Sequence, residues 1–122
     1  MDLNHVHLGT TDLAAFRAFH EGCFGFRKRR DHGDGAFLEN DEGFMLAVDP
    51  VEDVPAFPRW FHLWLTRKSA DQVKSLHRRV KPDRVRFAKE LMEFEGEAAV
   101  FYRRDPDGRV IEVGGYARED FE

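Results

Sequence analysis

Along the 122 residues, apolar and polar positions alternate, then recur at helical spacing, then alternate again, and the cycle runs twice. Over residues 3–8, Val6 and Leu8 fall on one face of a strand, while Leu3, His5 and His7 fall on the other. Leu13, Phe16, Phe19 and Cys23 then form one apolar stripe of a helix over 12–22. Thr10 and Thr11 are its N-cap candidates, and Gly22 and Gly25 end it. Three short strands are predicted at 26–30, 35–39 and 43–48, with turn-forming residues at 31–35 and 40–43. The order is β-α-β-β-β.

Residues 49–59 carry Pro50, Pro55 and Pro58, which disfavour both a helix interior and a central strand. They read as an extended connector, so that module 1 spans 3–48 and module 2 spans 60–116 of one 122-residue domain. After the connector the pattern restarts. Over 60–65, Trp60, His62 and Trp64 share one face and Phe61, Leu63 and Leu65 the other. Ser69 and Gln72 match a capping box, Ala70, Val73, Leu76 and Val80 make the second helical stripe, and Lys81-Pro82-Asp83 stops it. Strands follow at 84–88, 97–104 and 109–114. The predicted fold is α+β, with two βαβββ modules in tandem, related as a pseudo-twofold pair around a cleft.

The repeat is visible residue by residue. A shift of 57 places His5 on His62, Val6 on Leu63, Leu8 on Leu65, Phe16 on Val73, Phe19 on Leu76 and His20 on His77. At the module ends, Asn40-Asp41-Glu42-Gly43 falls on Asp105-Pro106-Asp107-Gly108, and Ala47 on Glu112. The second of these turns joins two strands, and beyond it Val110, Glu112 and Gly114 share a face opposite Ile111 and Val113.

A lone Glu on a strand, or a lone His, is ordinarily a solvated side chain. His5 and His62 stand at repeat-equivalent positions on matching faces, however, and packing the modules about a shared cleft adds Glu112. Two imidazoles and a carboxylate on separate strands make a facial triad for one divalent metal with coordination positions left open. Fe(II), Mn(II), Ni(II), Co(II) and Zn(II) all suit such ligands.

Composition narrows the class. A net charge of −4 gives no reason to expect nucleic-acid binding, and the basic run Arg27-Lys28-Arg29-Arg30 reads as a solvated strand. No apolar run approaches the roughly 20 residues that a membrane span needs. The single cysteine, Cys23, allows no intrachain disulfide, and residues 1–8 are too polar for a signal peptide. The expected location is the cytoplasm.

The chain resembles the vicinal oxygen chelate superfamily, which includes glyoxalase I, bleomycin and fosfomycin resistance proteins and extradiol dioxygenases. Asn4-His5-Val6-His7-Leu8 with Asp12-Leu13 is similar to its opening strand and helix start. Phe61-His62-Leu63 is similar to its second ligand strand, and Asp105-Pro106-Asp107-Gly108 with Glu112 to its closing hairpin. The resemblance implies paired βαβββ modules around a metal, and substrates that chelate it through adjacent oxygens. It also implies, for small members, a homodimer whose sites are shared between chains. Departures from the individual activities are plain. Ala47 stands where glyoxalase I has a fourth ligand. Glu95 and Val100 stand where fosfomycin-modifying enzymes hold the phosphonate. Tyr102 matches the tyrosine beside the substrate in extradiol dioxygenases, but Glu93, Phe94 and Glu95 stand where those enzymes have a further histidine.

The expected function is therefore a metal-dependent enzyme of dioxygenase, lyase or isomerase type on a small oxygen-rich molecule. The competing class is a binding protein that sequesters a drug or metabolite without turnover. His7, on the His5 face, is a candidate base, a candidate hydrogen-bond donor to substrate, or a partner that orients a metal ligand, and Tyr102 is a candidate donor to a bound oxyanion. Trp60 and Trp64, flanking His62, are candidates for an aromatic wall at the substrate. Arg103 and Arg104 read as solvated strand ends, and His20, His32 and His77 receive no role.

Overall fold

The computed structural model describes residues 1–58, 60–80, 87–93 and 98–115, with the backbone alone for 87–91. The expected helix stop at Lys81-Pro82-Asp83, the first residues of the strand expected at 84–88, Glu95 and the acidic tail beyond residue 117 lie outside these. The chain divides into two compact units, Met1–Pro55 and Ala56–Glu122.

In the first unit the elements are β1 (His5–Thr10), α1 (Leu13–Phe24), β2 (Arg27–His32), β3 (Gly35–Glu39) and β4 (Met45–Pro50). They form one four-stranded sheet in the order β1-β4-β3-β2, in which β1 and β4 run parallel and the rest antiparallel. Leu8, Leu38, Leu46 and Val48 are buried on one sheet face, and Phe16, Phe19 and Cys23 are the buried stripe of α1. Helix α1 starts one residue later than the threonines suggest. Asp12 is its N-cap and accepts from the Ala15 amide at 3.0 Å, while Thr10 is still in the strand. It runs through Gly22 and ends at Gly25, whose φ of 73° lets its N–H turn back to the His20 carbonyl.

The second unit repeats this with β5 (Leu63–Arg67), α2 (Ala70–Val80), β6 (Phe87–Glu93), β7 (Ala99–Arg104) and β8 (Val110–Gly115), in the sheet order β5-β8-β7-β6. The capping box forms with one difference. Ser69 Oγ accepts from the Gln72 amide, but the Gln72 side chain reaches back to the Lys68 amide. The expected strand at 60–65 begins only at Leu63: the Phe61 amide bonds the Pro58 carbonyl, so Trp60 sits in a turn.

The repeat extends to register. Val6 and His7 pair with Leu46 and Ala47 across the parallel strands of the first sheet; Leu63 and Trp64 pair with Ile111 and Glu112 in the second. Ala47 and Glu112 therefore hold the same place in their two sheets. The turns before them are built alike. Asn40 Oδ1 accepts from the Glu42 and Phe44 amides, and Asp105 Oδ1 from the Asp107 and Arg109 amides. Gly43 and Gly108 close the two turns at φ 86° and 88°, values that favour glycine. None of the described helices is long and apolar enough to cross a membrane.

Candidate functional site

Strand β8 lies between β5 and β7, which fixes Glu112 in the middle of the second sheet. Its register partners are Trp64 on β5 and Tyr102 on β7, so all three side chains leave the sheet from one face. His62 precedes β5 by one residue and has the same parity as Trp64. Its Nε2 lies 2.9 Å from Glu112 Oε1, and its ring meets the Tyr102 ring edge-on at 5.9 Å between centroids. Glu112 is only 9% exposed, unlike an ordinary solvated strand carboxylate. Burying a carboxylate is costly unless it is paired, and His62 is the partner it has.

The closing hairpin holds this strand rigidly. Besides the two amides, Asp105 accepts from Arg109 Nη1 through Oδ2 at 2.9 Å, and Asp107 Oδ2 lies 3.7 Å from the same nitrogen. Burial pushes the Asp105 carboxyl above its ordinary 3.8. The Arg109 amide bond, charge and side-chain bond offset this only in part. Arg109 also stands over the Phe57 ring at 5.5 Å, next to the edge-on pair Phe57–Phe61.

In the first unit His5 and His7 project from the open face of β1. His5 Nδ1 is 3.2 Å from Asn4 Oδ1, and His7 Nε2 is hydrogen-bonded to Asp49 Oδ2. The structure thus brings His62, Glu112, Tyr102 and Trp64 together within the second unit, and His7 with Asp49 within the first. Trp60, 79% exposed in its turn, stands outside β5. Among the described residues, no three His, Cys, Asp or Glu side chains gather as a metal site would need.

Sequence reasoning missed several residues. Asp49, read as the start of the connector, continues β4 and pairs with His7. Arg103, read as solvated, is 0% exposed, since its alternation with Tyr102 puts it on the same face as buried Phe101. His20 and His77, read as having no role, are both core residues. His20 Nδ1 bonds the Phe16 carbonyl at 2.9 Å and its ring stacks on Phe16, and His77 meets the Phe101 ring at 5.2 Å. Their match at a shift of 57 was the available signal.

A four-stranded sheet with one crossing helix, repeated in tandem with a His–carboxylate pair on the second copy, agrees with the comparisons. The chain belongs to the Glyoxalase/Bleomycin resistance protein/Dioxygenase superfamily, whose sequence profile matches residues 2–113. This is the vicinal oxygen chelate fold, as the motifs suggest. Among solved structures, a genomically encoded fosfomycin resistance protein from Listeria monocytogenes is similar at a TM-score of 0.84 and 20% identity, covering 98% of this chain and 97% of that one. A possible glyoxalase from Bacillus cereus is 28% identical with a TM-score of 0.74, covering 93% and 97%. A lactoylglutathione lyase from Agrobacterium tumefaciens is 21% identical with a TM-score of 0.73, covering 93% and 92%. No curated protein matches the sequence significantly.

Proposed function

We propose that this protein is a divalent-metal-dependent enzyme acting on a small molecule that chelates the metal through adjacent oxygens, by dioxygenase, lyase or isomerase chemistry. The observation that carries the reading is the part-buried pair His62–Glu112, an imidazole nitrogen and a carboxylate oxygen facing each other at 2.9 Å on one sheet face. With Nε2 deprotonated both are lone-pair donors, so the donor set fits a divalent ion. His62 and Glu112 would hold it, with His5 as the third ligand. When bound, the ion supplies Lewis-acid charge to the chelating oxygens. Trp64 offers an apolar wall beside the ligands, and the Tyr102 hydroxyl a hydrogen-bond donor to oxygen on the substrate.

This reading extends to a homodimer that shares its sites, His5 coming from one chain and His62 with Glu112 from the other. The support is that the three ligands are divided between the modules and that the chain between β4 and β5 carries Pro55 and Pro58. No described feature favours nucleic acid or a membrane as partner, and the cytoplasm is the compartment that a lone, buried cysteine suits.

The test is elemental analysis of protein purified without chelators or a metal-binding tag. One divalent ion per chain is expected, and His5→Ala, His62→Ala and Glu112→Ala should each lower the affinity at least about 100-fold. Full occupancy in folded His62→Ala would refute the ligand assignment. Metal bound without turnover of any vicinal diol or dicarbonyl would favour the sequestering alternative.

A further inference from the structure

The two sheets differ in one respect that their shared register makes sharp. In the second, the His–carboxylate pair joins His62 to Glu112. In the first, the repeat-equivalent positions are His5 and Ala47, and among the described residues His5 bonds Asn4 rather than a carboxylate. Instead a pair forms one pleat further along both strands, between His7 and Asp49. The equivalents of these two residues in the second sheet are Trp64 and Gly114, which cannot form such a pair. The His7–Asp49 pair is thus a feature of the first module alone.

Its exposure argues against a folding role. The side chains of His7 and Asp49 are 62% and 35% exposed, and ion pairs so placed contribute little to stability. What the pair does fix is chemistry. An ionised carboxylate only accepts, so His7 Nε2 must be the donor, and the neutral ring then carries its lone pair on Nδ1. Asp49 therefore sets which nitrogen of His7 is left to receive a proton donor. Along β1, His7 lies about 6.6 Å beyond His5 on the same face. Opposite His7 stands the short side chain of Ala47.

We infer that Asp49 holds His7 as a hydrogen-bond acceptor for a hydroxyl group on the substrate, next to the oxygens that chelate the metal. The inference rests on the proposed function, since it places the substrate at His5. It narrows the substrate class to molecules with a third oxygen, carrying a hydrogen, adjacent to the chelating pair. Asp49 is a positioning residue: it acts through the imidazole.

Three probes separate the possibilities on the metal-loaded protein: catechol, pyrogallol, which adds a neighbouring hydroxyl, and 3-methoxycatechol, whose added oxygen can only accept. Wild type should bind pyrogallol about fivefold to tenfold tighter than 3-methoxycatechol, the worth of one hydrogen bond. In Asp49→Ala nothing accepts from Nε2–H, so neither nitrogen of His7 is fixed as the donor. The preference should then fall, with metal content, catechol affinity and melting temperature unchanged. In His7→Ala the two affinities should become equal. An unchanged ratio in Asp49→Ala or in His7→Ala would overturn the inference and leave the pair a surface contact. Failure of metal-loaded wild type to bind catechol at all would instead refute the proposed function, and this inference with it.

Discussion

Trp64 and Glu112 are register partners on neighbouring parallel strands, so the indole and the carboxylate project side by side from one face of the second sheet. Trp60, by contrast, is set in a turn ahead of the strand. Tryptophan emission should therefore report on ligand binding through one residue only. Catechol added to the metal-loaded protein should quench fluorescence in wild type and in Trp60→Phe. Trp64→Phe should lose most of the response. Quenching that survives in Trp64→Phe and disappears in Trp60→Phe would place the ligand elsewhere.

Asp105 ties the closing hairpin together with three accepted bonds. Asp105→Ala removes the acceptor shared by two amides and the Arg109 guanidinium, and should cost about 3 kcal/mol of stability in urea unfolding.

The pH dependence at this residue has a definite sign. Burial raises the folded carboxyl above its ordinary 3.8. Its contribution to stability is therefore complete below the unfolded value and is lost as pH rises through the folded one. Asp105→Asn keeps the Oδ1 acceptor and has no such titration. The stability difference between the two proteins should move toward the Asn variant as pH climbs from about 3.5 to neutrality. Movement in the opposite direction would mean that Arg109, not burial, dominates.

Gly115 closes β8 against the start of α2. A Cβ there would lie 2.5 Å from the Ser69 carbonyl oxygen and 2.9 Å from a Val73 methyl. Since backbone must shift, Gly115→Ala should lower stability by about 2 kcal/mol. By contrast, Gly22→Ala, on the open side of α1 with nothing near its Cβ, should stabilise by about 1 kcal/mol. Thermal unfolding of both variants checks the pair.

The shared site proposed for the dimer makes a quantitative demand. Chains carrying His5→Ala are unfolded and refolded together with chains carrying Glu112→Ala. In a heterodimer that shares its sites, one site collects both defects and the other none, so half the sites should regain metal. Unshared sites each keep one defect and regain nothing. Heterodimers without recovery would exclude sharing.

The fold was legible because alternation and helical spacing each occur twice, and because Asn40 and Asp105 mark equivalent turns. That His62 and Trp64 share a face was legible from parity, since side chains an even number of residues apart on one strand share a face; Glu112 and Tyr102 join them through register between strands, which parity does not give. Alternation says which way a side chain points, but not where hydrogen bonding between strands begins. Hence Trp60 was placed on a strand that starts at Leu63. Residue type misled at Arg103, where polar character suggested solvent, and left His20 and His77 without a role. Strand parity for Arg103 and helical spacing for His20 and His77 indicated the core. Asp49 was hidden by the proline after it, which marks a connector but here stands as the last residue of β4.

Among the described residues, the opening strand of each sheet pairs with the module's last strand alone. His5 pairs with Met45, 40 residues later, and Leu63 with Ile111, 48 residues later. A nascent chain leaving the ribosome therefore carries β1 without a sheet partner until residues 45–50 emerge, and β5 until residues 110–115 emerge. Contacts so distant in sequence form late and slowly. The first module can complete itself while the second is still being made. The strand that carries Glu112 is then the last piece to arrive, and its docking both closes the sheet and delivers the carboxylate to His62.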